Sequence, residues 1–497
     1  VILILLIALP LAGGLLAWAL GARRPTAARA VALGTLLVDL ALAVSLLGAR
    51  GSGEWLVEAS WRWMPRFGVD LHLGVDGLSL PLVLLTLVLG VVSVATSWSE
   101  IQHRVGFFHL NLLFVLAGVL GVFLALDLFV FYLFWELMLV PMYLLIVIWG
   151  HERRLRAGIK FFLFTQASGL LMLLSILGLA VLNARQTGVW TFDYATLRQT
   201  PLGPQAAFWL MLGFLAAFFV KLPAVPLHTW LPDAHAEAPT AGSIVLAGLL
   251  LKTGGYGLLR LALPIFPGAS REIAPVALAL GALGILYGAL LAFAQTDLKR
   301  MVAYTSVSHL GFVLLGAYAG NALALQGALF QMICHGLSTG GLFAVAGLLQ
   351  ERLHTREIGR MGGLWDAAPR LGGLTMVLAL ASLGLPGLGN FVAEFLVLVG
   401  TFRASPAVAS VAALGLVAAS VYALWLVQQV FHGPRAEARL VDVSPREAAV
   451  LATLVAGLVW LGVRPQPILE RARPALEVVQ TSIAETTPPA GPPEVTP

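Results

Sequence analysis

Apolar runs of about 20 residues, enough to cross the roughly 30 Å hydrocarbon core of a bilayer, recur almost without pause from Val1 to Val463. Polar and turn-forming residues collect between these runs rather than alternating through them. Continuous runs predict transmembrane helices, and the ten-residue alternating segments of an outer-membrane barrel are absent from the pattern. Counting runs between charge and turn signals predicts about fourteen spans. They are Val1 to Leu20, Ala30 to Leu47, Leu78 to Ser97, Phe107 to Leu126, Leu128 to Trp149, Ile159 to Leu182 and Ala206 to Trp230. Ala241 to Leu263, Ala274 to Ala294, Met301 to Ala319, Leu323 to Leu349, Gly373 to Phe402, Val408 to Phe431 and Ala448 to Val463 complete the set.

Between the spans little remains. One substantial loop, "GARGSGEWLVEASWRWMPRFGVDLHLGVDG", has the alternation and glycines of a short hairpin lying on the membrane surface. No segment is long enough for a soluble catalytic domain, so any chemistry lies inside the bilayer or in partner chains. Residues 480–497 are Pro/Thr-rich and are expected to form a disordered tail. The first span lacks a basic flank and a small-residue cleavage motif, so it reads as a helix rather than a signal peptide.

Composition agrees: 59% of the 497 residues are hydrophobic and 11% charged, too little polar surface for a soluble globule of this size. The net charge of +5 is explained by topology rather than nucleic-acid binding. Seventeen Lys and Arg fall in the odd-numbered loops, notably "ARRPTAAR", "HERRLR", "DLKR", "ERLHTREIGR" and "PRAEAR". Eleven fall in the even loops and C-terminal tail, Arg260 at a helix end included. The positive-inside rule then places both termini on the outer side, as an even number of spans requires. A single cysteine, Cys334, excludes a disulfide framework, a CxxC pair and a Cys-ligated iron–sulfur cluster within the chain.

Two spans are interrupted in matching style, one by Pro223 and Pro226 beyond Lys221, the other by "GLPGLGN" before Glu394. Such breaks free backbone groups that membrane depth tolerates only beside protein or a water-lined cavity. Glu136 precedes Lys221 by 85 residues, and His309 precedes Glu394 by the same interval. An offset of 173 would relate five spans starting near Phe107 to five starting near Ala274. An odd number of spans per copy inverts the copies, a frequent transporter plan.

Glu136 lies in "LFVFYLFWELMLVPMY", near mid-membrane, where a charge costs at least about 2.5 kcal/mol. Unless it is a protonated bystander, it needs a partner. Lys221 and Lys252 supply cations and Glu394 a second acid, although Lys221 alone could snorkel from a helix ended by Pro223. His309 in "TSVSHLGF" and His335 in "MICHGLSTGG" add groups that titrate near neutrality, although a lone buried histidine is more often a satisfied core residue. Burial favours the neutral form of acid and amine alike, whereas pairing favours their charged forms, so separating a pair releases a proton. Other constellations carry less. "KTGGYG" lacks the P-loop spacing, and His228, Asp233, His235 and Glu237 in "HTWLPDAHAEA" lack zinc-ligand spacing. These four are expected to cap the broken helix and line an aqueous entrance, and His103, His151 and His354 to be surface residues.

The stretches "KLPAVPLHTWLPDAHAEAPTAGS", "LLKTGGYGLLR", "QTDLKRMVAYTSVSHLGF" and "LPGLGNFVAEF" resemble the antiporter-like membrane subunits of respiratory complex I, the proton-pumping NADH-quinone oxidoreductase. The resemblance covers nearly the whole chain. It implies an all-α membrane protein of fourteen transmembrane helices with two inverted five-helix repeats and broken helices seven and twelve. The divisions expected are 1–106, three spans with the hairpin; 107–263, the first repeat; 274–431, the second; 432–479, a C-terminal helix and segment; and the tail. It further implies a proton relay in which Glu136 and Lys221 form the input pair and Lys252 the central lysine. His309 and His335 link the halves, and Glu394 is the outward carboxylate.

NADH, FMN, iron–sulfur clusters and quinone would belong to partner subunits, with no cofactor or metal in this chain. Partners would be the other membrane-arm subunits, the related L and N types flanking it, in a cytoplasmic (inner) membrane with both termini periplasmic. Ala393 departs from the glycine usual before the terminal acid and would tighten packing there. The acid itself is similar to that of the M-type members, since L, N and Mrp-type sodium/proton antiporter subunits typically carry lysine at this place. A tail of about thirty residues also cannot supply the long lateral helix of the L type. The alternatives are an Mrp-type antiporter subunit and a passive membrane-arm scaffold.

Overall fold

The computed structural model describes residues 1–49, 54–433 and 441–485, and these are helical nearly throughout. Thirteen helices among the described residues are long and apolar enough to cross a membrane. Two shorter pieces, Pro369–Ser382 and Gly389–Ala404, lie where the remaining expected span was placed, and the chain is broken between them. The seventh span is broken too: Pro204–Lys221 ends at the lysine and Leu231–Glu237 resumes after a non-helical stretch. The Trp230 indole donates to the Val220 carbonyl at 3.0 Å, serving an acceptor that the break would leave unpaired inside the protein.

Local signals set the helix ends. Asp127, Asp297, Asn321, Ser405 and Ser444 each cap a helix by accepting a backbone N–H, and Ser444 forms a full capping box with Glu447. The helices of Thr240–Ile265 and Ala322–Leu353 are buried throughout their apolar centres, whereas Pro25–Gly48 and Pro445–Val463 are buried over less than a third of theirs. The molecule therefore has a protein-lined centre and a rim that only lipid or partner chains can cover.

The loops separate onto two faces. On one, Val57–Met64 and Val69–Val75 form the expected antiparallel hairpin. Gly68, with φ near +65°, lies so close to the Trp190 carbonyl that a Cβ there would fall 2.1 Å from its oxygen, so the turn demands glycine. His72 joins Glu58 at 2.7 Å and Asp193 at 2.9 Å, tying the hairpin to the segment after the sixth span. Burial opposes a charged His72, but the two carboxylates outweigh it and raise its pKa above the ordinary imidazole value.

On the other face Glu237 accepts from the Arg153 amide at 2.9 Å, Arg356 pairs with Asp297 at 3.1 Å, and Arg352 pairs with Glu447 at 2.7 Å. His151 is held here as well, its pKa lowered to about 3 by burial and then by the Lys299 and Arg356 charges. His151 was expected at the surface and is instead partly buried against Gln350.

The chain end departs from expectation. The helix Gln466–Glu485 continues past 480, where the tail was expected to begin; residues 486–497 lie outside the described residues. Ala472, Ala475, Leu476 and Val479 are buried at helical spacing while Glu470, Arg473 and Glu477 point away from the core. Amphipathic order of this kind is driven by one apolar face, and the Pro/Thr-rich composition begins only after it.

Candidate functional site

Glu136 ends one helical segment, Leu128–Leu137, of a span that continues as Leu139–Trp149. Tyr132 and Gln166 flank its carboxylate, and its Oε1 has no hydrogen-bond partner among the described residues. A Cβ built on Gly169 would lie 2.5 Å from that oxygen, so only glycine leaves the carboxylate its present place. Lys221 is 1% exposed, with its Nζ likewise unpartnered. The amine sits 5.4 Å from the centre of the Trp135 ring and 5.6 Å from that of Phe161, within cation–π range. Glu136 and Lys221 act on each other electrostatically, but no ion pair within 4 Å joins them among the described residues.

Lys252 occupies the α-helical turn Leu251–Gly257 between two π-helical segments, Leu246–Leu250 and Leu258–Ala262. Such wide turns loosen the regular ladder and often mark functional places in helices. Its amine donates to the Ala247 carbonyl at 2.5 Å and lies 2.5 Å from His335 Nδ1. With the lysine protonated, Nδ1 must accept, which places the imidazole proton on Nε2. His335 and His309 are ring neighbours, their centres 5.7 Å apart. His309 in turn meets Glu394 Oε1 at 3.0 Å through Nδ1, and Ser382 and Tyr422, each at 3.0 Å, through Nε2. Gln331 adds a hydrogen bond to Glu394 Oε1 at 3.1 Å. Glu394 Oε2 is unpartnered and, like Glu136 Oε1, faces a glycine: a Cβ on Gly384, whose φ is +79°, would lie 2.8 Å from it.

Four of the six sequence-predicted residues thus form one connected line, Lys252–His335–His309–Glu394, and Glu136 and Lys221 stand beside it as a separated couple. Lys221 packs near the Lys252 helix, since a Cβ on Gly254 would lie 3.1 Å from Lys221 Cβ. Neither hydrogen bond nor ion pair bridges the two lysines among the described residues.

Several buried partners escaped the sequence reading. Lys299, counted there as a loop charge, lies in the helix Leu298–Tyr318 with no exposure and donates to the Ala238 carbonyl at 3.2 Å. Glu100 accepts from the Thr240 amide and hydroxyl. His235, expected at an entrance, is fully buried, stacked on Phe343 at 4.5 Å, with both ring nitrogens unpartnered. Arg260, expected near the surface, is buried in an ion pair with Asp76 and lies 4.8 Å from the Trp55 ring, so it belongs to packing rather than to the loop-charge bias. Asp39 in the second span is buried with neither oxygen partnered; an acid in an apolar run is the same signal that marked Glu136.

Asp233 spends its oxygens on Lys160 at 2.7 Å and Arg300 at 2.8 Å. With Glu237, Arg153 and Arg356 it lines a charged cavity of about 550 Å³. Among the described residues no group of three or more His, Cys, Asp or Glu side chains is placed to hold a metal.

Comparison with known proteins matches this architecture. Residues 125–420 fit the family described as NADH:quinone oxidoreductase/Mrp antiporter, TM. The chain is 52% identical over 491 residues to NADH-quinone oxidoreductase subunit M of Pseudomonas aeruginosa, covering 96% of each chain. It is 50% identical over 492 residues to the subunit M of Escherichia coli, covering 96% of this chain and 97% of that one. A chain of respiratory complex I from Thermus thermophilus, solved with bound NADH, superposes with a TM-score of 0.89 at 34% identity, over 98% of this chain and 100% of that one. A chain of the Mrp complex from Dietzia shares the fold, with a TM-score of 0.85 at 22% identity over 97% and 99% of the two chains. With the family matched over more than half its length, and relatives of 50–52% identity over nearly all of it, the chain belongs to the NADH:quinone oxidoreductase/Mrp antiporter transmembrane family.

Proposed function

We propose that this chain is the M-type proton-translocating subunit of an NADH-quinone oxidoreductase, moving protons across a cytoplasmic membrane while NADH oxidation and quinone reduction proceed in other subunits. The observation that carries this reading is the buried line Lys252–His335–His309–Glu394, built from groups that exchange protons and joined by hydrogen bonds or ring contact. A passive scaffold would gain nothing from the insertion cost of these charges. The 50–52% identity to subunits M favours complex I over an Mrp-type antiporter.

In the proposed cycle Glu136 screens Lys221 across the gap between them. When that screening weakens, Lys221 gives up its proton, which passes through Lys252, His335 and His309 to Glu394 and then outward. The aromatic walls around Lys221 suit such a role, because they hold an ammonium without fixing it as a carboxylate contact would. Protons enter from the charged cavity beside Asp233 and Glu237. The work is modest: 100 mV opposes one charge by about 2.3 kcal/mol, so changes in pairing can load and unload each site. Both termini and the hairpin face the periplasm, and the L- and N-type subunits flank the chain. The redox cofactors reside in partner subunits.

Glu136→Ala or Lys221→Ala in a complex that still assembles should abolish NADH-driven pumping. Full pumping in either assembled variant would overturn the assigned roles.

A further inference from the structure

Lys252, Tyr256 and Arg260 follow one another at intervals of four along the span Thr240–Ile265, which sets them on one helix face. At 1.5 Å per residue Arg260 lies about 12 Å beyond the lysine, toward the hairpin, so the row marks a direct way out from the centre of the protein. All three are buried, as is Asp76 at the foot of the hairpin. Every group along this way is already engaged. The Tyr256 hydroxyl donates to the Phe123 carbonyl at 3.1 Å and accepts from Arg260 Nε at 3.2 Å. Arg260 Nη2 donates to Asp76 Oδ2, and Asp76 Oδ1 accepts from the Leu78 and Ser79 amides at 3.0 and 2.9 Å. The guanidinium is closed in by rings, 4.8 Å from the centre of Trp55 and 5.6 Å from that of Tyr256.

We infer that Arg260 is a proton barrier, which closes the way from Lys252 to the hairpin face and leaves His335 as the exit for a proton on the lysine. The inference deepens the proposed translocation and rests on its path through Lys252. A guanidinium keeps its charge at physiological pH and has no acceptor atom, so it cannot take up a proton and pass it on. Its fixed positive charge stands between Lys252 and the hairpin face, and a fixed arginine charge excludes protons from a narrow passage. Tyr256, the hydroxyl between the two, is held by one acceptor and one donor and is not free to turn. With this way open, protons would return from the outer side to Lys252 without passing Glu394, and the gradient would run down through the relay itself. A pair that only pinned the hairpin to the span would need neither the row leading to Lys252 nor a group that refuses protons.

The test measures passive proton flux, without NADH, in vesicles holding the assembled complex, driven by a potassium diffusion potential and followed with a pH dye. Arg260→Gln places a side chain there that both donates and accepts. Arg260→Gln with Asp76→Asn does the same while leaving no unpaired buried charge, and so guards against failure to assemble. Passive flux should rise by about tenfold, the Boltzmann factor for two unit charges about 12 Å apart at an effective dielectric of about 20, and the ratio of protons to NADH should fall. Asp76→Asn alone breaks the ion pair but keeps the guanidinium, and its vesicles should stay tight. Adding Lys252→Met to the leaking variant should stop the leak. Tight vesicles with the double variant, an equal leak with Asp76→Asn alone, or a leak that survives Lys252→Met would each overturn the barrier. Normal pumping with Lys252→Met alone would overturn the relay and the barrier with it, whereas tight Arg260 variants beside a Lys252→Met variant that does not pump overturn the barrier only.

Discussion

Lys252 and His335 meet at 2.5 Å, in the middle of two helices buried throughout their apolar centres. The contact joins the lysine of a span carrying two π-helical segments to the histidine that neighbours His309, and it makes the line to Glu394 continuous. His335→Leu should break that line while leaving the helices packed. NADH-driven pumping in the assembled variant should fall by tenfold or more, about 1.4 kcal/mol or above in the rate-limiting transfer. His335→Gln, which can still accept from Lys252, should lose less. Proton uptake followed by a pH dye in vesicles checks both.

The glycine that makes room for Glu136 gives a second test. Gly169→Ala would set a methyl 2.5 Å from Oε1, so the carboxylate must move. Displacement of about 1 Å in a reacting group can cost on the order of 100-fold in rate, and a loss of at least tenfold in pumping is expected with assembly unchanged. Wild-type pumping in this variant would mean that the position of Glu136 is not critical.

Asp39 has buried oxygens without partners and stands outside the line. An unsatisfied buried carboxyl costs stability, and an apolar replacement of similar size removes that cost. Asp39→Leu should therefore stabilise the isolated subunit by roughly 1–2 kcal/mol in thermal unfolding. A loss of stability would show that Asp39 has an acceptor or donor in the folded protein.

The hairpin should loosen with rising pH. The folded pKa of His72 is raised above its unfolded value, so the stability it contributes is fully present below about pH 6.5 and is lost as pH rises through the folded value. Hydrogen exchange across residues 57–75 should be slower at about pH 6 than at about pH 8.5 after correction for intrinsic rates. His72→Gln should remove the difference.

What the sequence disclosed and what it hid have the same origin. Glu136, Lys221, Lys252 and Glu394 stand out because each interrupts an apolar run, and a charge in such a run must be buried or paired. Lys299 is equally buried and Glu100 partly so, but they lie in "QTDLKR" and "SWSE", where neighbouring polar residues make the local pattern that of a surface. Their burial comes from packing between distant spans, to which local periodicity is blind. The π-helical segments around Lys252 leave no trace in composition. Arg260 misled in the opposite direction, since its partner Asp76 is 184 residues away. Asp39 did carry the legible signal.

The relay itself is tested most directly by the ratio of protons translocated to NADH oxidised, measured in vesicles holding the assembled complex with Lys252→Met in this chain. Methionine keeps an unbranched apolar stem but removes the ammonium that His335 contacts. Quinone reduction without proton translocation is the predicted result. A ratio equal to that of the unaltered complex would contradict the path through Lys252, His335, His309 and Glu394.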